Sequence, residues 1–329
     1  MASGFVAVPD WLSHENAGAG IAVADVDGDG RPDIIVLTVD DPPGKNTGAY
    51  RVGHGLNSDG TVSGWSPWLV VPDWDFHLNV DVGLAVVDLD GGLDLVVFLV
   101  DAPEGQNAAY YRVGHDLAPD GTITGGWGPW LPVPDWLFHE NQGADIAIAD
   151  INGSGRPDLV VMMVDAPAGQ NAAYYRVGHD LAPDGAVTGG WGPWLPVPGW
   201  GFWENTGAGI AVADLDGDGT PELLVFTVDN PVGQNGAYYT VGWHLDTTGR
   251  ARDGWGPWSG VPDWGFWENQ GGSAVVADLE GTGRTELVIF TVDNPVGRNT
   301  GYYRVVDLVT DLDTAATMGV WRLLDFDTQ

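Results

Sequence analysis

The chain has 329 residues, among them 50 glycines and 22 prolines, and its 46 acidic against 12 basic side chains give a formal charge of -34. Phosphate backbones and anionic bilayers need clustered positive charge, so this balance argues against nucleic acid and membrane insertion as partners. The absence of cysteine removes disulfides, thiolate metal sites and cysteine nucleophiles, and the glycine and proline content argues against long helices.

Met1-Ala2-Ser3-Gly4 lacks a charged-then-apolar leader, and no apolar run approaches the roughly 18 residues of a membrane span. The expectation is an extracellular protein whose signal is absent from this chain, with a cytoplasmic origin left open. Phe5-Val6-Ala7-Val8 matches Trp130-Leu131-Pro132-Val133 and reads as an outer strand arriving before its own first unit. Five units then start near 8, 71, 133, 197 and 261. Their anchor tryptophans Trp11, Trp74, Trp136, Trp200 and Trp264 stand 63, 62, 64 and 64 residues apart. Self-similarity at a fixed period signals a propeller, a solenoid or an array.

Within the first unit, the apolar run Gly20–Ala24 and the run Ile34–Val39 flank an acidic loop, so they predict a hairpin. A tyrosine-rich third strand follows, clearest at Ala109–His115, where Tyr111, Val113 and His115 share a face. The fourth segment, Trp127-Gly128-Pro129-Trp130-Leu131-Pro132-Val133, carries prolines that only a sheet edge tolerates. Four strands per unit make a propeller blade, and the period exceeds the roughly 40–45 residues of the WD type by enough for long loops. We expect an all-β fold: one domain over 1–329, a five-bladed β-propeller of four-stranded blades. Either the N-terminal strand or Gly319–Leu324 closes the ring; an open solenoid would need polar caps, which are not seen.

The acidic loop Asp25-Val26-Asp27-Gly28-Asp29-Gly30-Arg31-Pro32-Asp33 places carboxylates at positions one, three, five and nine. Hard oxygens converging on one point suit Ca²⁺, with the backbone carbonyl of Arg31 available at position seven. The fourth unit repeats this with Asp214, Asp216, Asp218, Thr220 and Glu222. Weaker versions are expected at Asp150, Asn152, Ser154, Arg156 and Asp158, and at Asp278, Glu280, Thr282, Arg284 and Glu286. The second unit, Asp88–Asp94, is two residues shorter and is expected to bind no ion. The competing reading is that these are glycine-rich hairpin turns.

The segment Ala22–Val36 resembles the FG-GAP or VCBS-type repeat of integrin α-chain propellers and integrin-like lectins. The resemblance extends over all five units, is strong in two, and fails in the metal loop of the second. It implies a calcium-stiffened propeller with calcium-binding hairpin loops.

After each anchor tryptophan comes an aromatic-polar triplet: His14-Glu15-Asn16, His139-Glu140-Asn141, Trp203-Glu204-Asn205 and Trp267-Glu268-Asn269, with His77-Leu78-Asn79 as the variant. An indole cannot replace a zinc ligand, so a flat ring beside two polar groups is the shared requirement, as sugar binding needs. Loop satisfaction and packing between blades is the competing reading. Asn46, Asn107, Asn171, Asn235 and Asn299 recur in Gly-x-Asn turns, and His54, His115 and His179 are expected in the core.

Three functions are weighed. A multivalent, lectin-like, glycan-binding propeller accounts for the symmetry through avidity. A calcium-stiffened adhesion or scaffold module facing a protein surface is the alternative. A glycoside-active enzyme needs one asymmetric constellation, and near-identical repeats offer none, so the chain is not expected to be an enzyme.

Overall fold

The computed structural model describes residues 4–11, 16–40, 46–76, 78–101, 107–136, 141–165, 171–202, 204–229, 235–266, 268–293 and 300–308. These residues form five antiparallel sheets arranged as the blades of a propeller. The inner strands are Asn16–Ala24, Asn79–Asp88, Asn141–Ala149, Asn205–Ala213 and Asn269–Ala277. Each pairs with a buried second strand, Asp33–Asp40, Leu93–Asp101, Asp158–Asp165, Glu222–Asp229 or Glu286–Asp293. The tyrosine-rich third strands follow, and short outer segments such as Leu131–Pro132 lie at the edge, where a missing amide donor does no harm. The second strands read as continuous Val, Ile, Leu, Met and Phe because both their faces are covered by neighbouring blades.

The ring closes through the N-terminal strand. Val6 and Ala7 pair with Tyr303 and Tyr302, and the Val8 amide donates to Gly301 O at 2.8 Å. A second bond crosses the same seam: Tyr303 Oη donates to Gly60 O of blade 1 at 2.8 Å. It repeats the contacts Tyr50 to Gly121, Tyr111 to Gly185 and Tyr175 to Gly249 between successive blades. The segment Gly319–Leu324, the competing donor, lies outside the described residues.

A buried arginine clasps four of the five blades. In blade 3, Arg176 Nε and Nη2 donate to Gly192 O at 3.1 and 2.7 Å, and Nη1 donates to Pro134 O at 2.7 Å. Its guanidinium sits 5.0 and 5.2 Å from the centroids of Trp191 and Trp194. Arg51 and Arg112 do the same, whereas in blade 5 Arg304 reaches Pro262 O and stacks on Phe5. In blade 4, Thr240 takes the position and donates to Gly256 O instead. In blades 1 to 3 the paired tryptophans of the outer segment flank a cation whose hydrogen bonds tie the outer edge to the segment leading into the blade, whereas blade 4 keeps Trp255-Gly256-Pro257-Trp258 around Thr240.

Arg176→Ala leaves two buried carbonyls without their charged donor and removes the stacking partner of two indoles. It should cost about 2–4 kcal/mol of stability, read from the urea midpoint.

Candidate functional site

The five inner strands crowd the propeller axis so closely that most positions there must be glycine. A Cβ on Gly207 would collide with the backbone of Gly271 and Gly272, and one on Gly83 would lie 2.6 Å from Asp145 Oδ1. At two successive inward positions the repeat departs from glycine: Asp81 in blade 2 stands at the first, and Asp145 in blade 3 and Ser273 in blade 5 stand at the second, all on the axis. Asp81 Oδ1 accepts from the Ala19 and Val82 amides at 3.2 and 2.9 Å, and Oδ2 accepts from the Ala144 amide at 3.1 Å. Asp145 Oδ1 accepts from the Ile146 amide at 2.8 Å; Oδ2 accepts from Ser273 Oγ at 2.6 Å and the Ile210 amide at 3.4 Å. The two carboxyls therefore touch the inner strands of all five blades. Burial drives both well above the ordinary aspartate range, against the opposing pull of their hydrogen bonds, and the nearby Asp81 adds to the rise at Asp145.

Above this plug, the first residue of every inner strand is an asparagine. Asn16, Asn79, Asn141, Asn205 and Asn269 converge with Val80, Gln142 and Thr206 on one cavity of about 300 Å³. A β-bulge just after each asparagine breaks the ladder and re-aims its side chain. The five side chains are at most 9% exposed. In blades 1, 4 and 5 the amide nitrogen donates to a threonine hydroxyl: Asn16 to Thr38 at 3.1 Å, Asn205 to Thr227 at 2.9 Å and Asn269 to Thr291 at 2.9 Å. In blades 2 and 3 the equivalent positions are Leu99 and Met163, and both Nδ2 and Oδ1 of Asn79 and Asn141 have no partner. Asn205 Oδ1, Asn269 Oδ1 and Thr206 Oγ1 are also buried and unpaired.

Of the expected sugar-binding residues, the structure thus brings Asn16, Asn141, Asn205 and Asn269 to one axial mouth instead of separate sites. Glu204 and Glu268 are exposed, their backbone amides held by Asp229 and Asp293 at 2.9 and 3.0 Å. His14, Glu15, His139, Glu140, Trp203 and Trp267 lie outside the described residues. Asn171 and Asn235 donate to Phe202 O and Phe266 O, both at 3.0 Å, and so staple neighbouring segments.

The acidic loops stand at the opposite ends of the inner strands, roughly 25 Å from the asparagines at about 3.3 Å per residue. In blade 1, ligand atoms of Asp25, Asp27 and Asp29 lie within 4.8 Å of one another, as do those of Asp27, Asp33 and His54. Arg31 turns its side chain away to Asn57 at 2.9 Å. In blade 4, Asp216, Asp218 and Glu222 cluster with His244, while Asp214 accepts from the Gly217, Asp218 and Gly219 amides. Thr220 donates its amide to Asp218. Blade 3 differs: Asn152 and Ser154 donate their side chains to Asp180 Oδ1, Asp150 and Asp158 accept from loop amides, and Arg156 is exposed. In blade 5, Asp278 accepts from the Thr282 and Gly283 amides, Glu286 accepts from the Leu279 amide, and Glu280 and Arg284 are exposed. The short loop of blade 2 is tied by Asp88 to Gly91 and by Asp94 to Leu89.

His54, His115 and His179 are not the core residues expected. Their Nδ1 atoms lie 3.5, 3.4 and 3.3 Å from Asp33, Asp94 and Asp158 at the edge of the acidic loops. In blade 4 the histidine is displaced by one residue to His244, in left-handed backbone at φ 52°. Its Nδ1 is 2.6 Å from Asp253 Oδ2, whose hydrogen bond raises the imidazole pKa.

No protein-family model matches the chain, and no curated protein matches it. The FG-GAP or VCBS resemblance is therefore carried by its motif alone, while the five-bladed propeller is the architecture observed. Among solved structures, the chain is similar to the catalytic domain of a GH62 alpha-L-arabinofuranosidase from Coprinopsis cinerea, at 12% identity over 92% of this chain and 96% of that one, with a TM-score of 0.52. A GH43_1 enzyme from Xanthomonas citri complexed with xylotriose is 12% identical over 91% and 89%, with a TM-score of 0.48. The fucose-specific lectin from Aleuria aurantia is 13% identical over 88% and 95%, with a TM-score of 0.41.

The expectation that the chain is not an enzyme is corrected here. The GH62 structure is a catalytic domain on this fold, and the premise of near-identical repeats fails at the axis. Among the described inner strands, those of blades 2 and 3 alone carry a buried aspartate on the axis and an asparagine with both amide atoms unpaired. Comparing inner strands position by position reveals the signal, since Asp81 and Asp145 stand where the other units have small residues.

Because burial raises the folded-state pKa of Asp81 and Asp145, the native chain holds protons that the unfolded chain releases. Their contribution to stability is present at low pH and falls as pH rises above the ordinary aspartate range through the folded values. Asp145→Asn should flatten that decline, which urea midpoints from pH 4 to pH 8 will read against the parent chain.

Proposed function

We propose that the chain is a carbohydrate-directed propeller whose sugar enters the asparagine-rimmed mouth of the axis. The observation that carries this reading is the set of buried, unpaired amide and hydroxyl atoms facing a cavity of about 300 Å³. Leaving such groups unpaired costs roughly 1–3 kcal/mol each, and a ligand rich in hydroxyls repays that by offering both donors and acceptors. The arabinofuranosidase domain with the same fold adds support for a carbohydrate as the ligand class. Lectin-like capture here takes place at one axial site, so affinity comes from that site and avidity is not needed.

The acidic loops are proposed to hold Ca²⁺, through Asp25, Asp27, Asp29 and Asp33 in blade 1 and Asp216, Asp218 and Glu222 in blade 4. Their carboxylate-rich donor sets fit a hard cation, and weak sites of this kind fill at the millimolar calcium found outside cells. The ions would stiffen the hairpins at the face opposite the sugar and take no part in holding it.

Two measurements test the proposal. Calorimetric titration with neutral sugars, alongside turnover assays on chromogenic aryl glycosides, should give saturable binding, and product release separates catalysis from capture. No binding across such a panel would refute the axial reading. Chelation should lower the melting temperature, an effect reduced in Asp27→Asn/Asp29→Asn and lost when Asp216→Asn/Asp218→Asn is added, while sugar affinity at 20 °C stays within twofold.

A further inference from the structure

Building on the axial sugar site, we propose that blades 2 and 3 form its recognition half and that it takes the terminal residue of a neutral glycan. The five asparagines are not equivalent. In blades 1, 4 and 5 a threonine on the adjacent second strand receives the amide proton, and its own hydroxyl donates to Gly18 O, Gly207 O or Gly271 O. Those three asparagines are locked in place by a closed chain of hydrogen bonds. Leu99 and Met163 interrupt that chain in the other two blades, leaving Asn79 and Asn141 with a free donor and a free acceptor each. A primary amide presents its C=O and NH₂ side by side, which matches two vicinal hydroxyls of a sugar ring. Both are at least nine-tenths buried, so these bonds form away from competing water.

The class of sugar follows from charge and shape. Every group identified on the cavity wall is neutral, and the floor beneath is the Asp81–Asp145 pair, fully buried and tied to backbone amides. Among the described residues no lysine or arginine lines the mouth to receive a carboxylate, so uronic and sialic acids are disfavoured by the formal charge of -34. The cavity lies at the small end of ligand sites, which run from about 300 to 1,000 Å³. Asp81, Asp145 and Ser273 plug the axis below it, so a chain cannot thread through. What fits is one ring entering end-on, the tip of a glycan.

The decisive variant leaves both asparagines in place. Leu99→Thr/Met163→Thr rebuilds in blades 2 and 3 the hydroxyl partner that the other three blades already have, and so ties up the amide donors and breaks the free donor–acceptor pair. The methyl glycosides of arabinose, xylose, fucose, glucose and galactose, with glucuronate and galacturonate as charged probes, are titrated into the full chain by calorimetry. The expected result is at least tenfold weaker binding of the preferred neutral sugar by the double variant, and at least tenfold weaker binding of the uronates by the parent chain. A melting curve verifies folding; if the double variant does not fold, Asn79→Ser and Asn141→Ser are used, each expected to weaken binding by fivefold or more.

The outcomes separate. Parent binding that survives in the variants overturns the blade 2 and 3 assignment but keeps the axial reading. Preference for the uronates overturns the neutral class. No sugar bound by the parent chain overturns the axial reading and this inference with it.

Discussion

Two buried carboxyl groups on the propeller axis hold the ring together. Asp81 links blades 1, 2 and 3, and Asp145 links blades 3, 4 and 5, so every inner strand has a backbone amide or a hydroxyl bound to one of them. The glycines opposite are there because the strands approach to near contact, and a side chain on each would force them apart. A ring of five blades leaves too little room for a side chain from every strand, yet an empty axis would strand inward-facing amides. One carboxyl at each of two levels satisfies both demands, at the expense of burying ionisable groups that prefer to stay protonated.

This plug divides the molecule into two faces with different chemistry. On one side, the mouth is built from neutral amides, three of the five asparagines locked by threonine and two left open beside Leu99 and Met163. On the other, hairpins rich in aspartate converge in blades 1 and 4, with histidines at their edge. The two faces are separated by the full length of the inner strands, so a cation bound at one could influence a sugar at the other only through the rigidity of the blades. Elsewhere the exterior is stitched by repeated devices: the arginine between two tryptophans, and the tyrosine hydroxyl that reaches the next blade's turn.

Repeat symmetry and local departure from it have separate roles. Where the five units agree, as in the anchor tryptophans and buried second strands, they build the ring. Where they differ, they shape the axis and its mouth. Asp81, Asp145, Leu99 and Met163 each break a pattern kept by the other units, and all four fall in the same two neighbouring blades. His244 is a smaller case, one residue out of register with His54, His115 and His179 and held by Asp253.

The architecture was legible in the sequence because its causes are local and repeated. A period near 63 residues, four strand-like runs per unit and prolines in the outermost run specify a five-bladed propeller without any knowledge of contacts. The acidic loops were legible for the same reason, since their oxygens lie within nine residues of one another. The axial site was not, because it is assembled from residues 16, 79, 141, 205 and 269, which meet only once the ring closes. Sequence alone identified the recurring asparagines, but not that five of them share one cavity. Only the tertiary structure decided which have a threonine within reach, which aspartates span the axis, and that the N-terminal strand completes the last blade. Those outcomes depend on distances between blades, and no spacing along the chain encodes them.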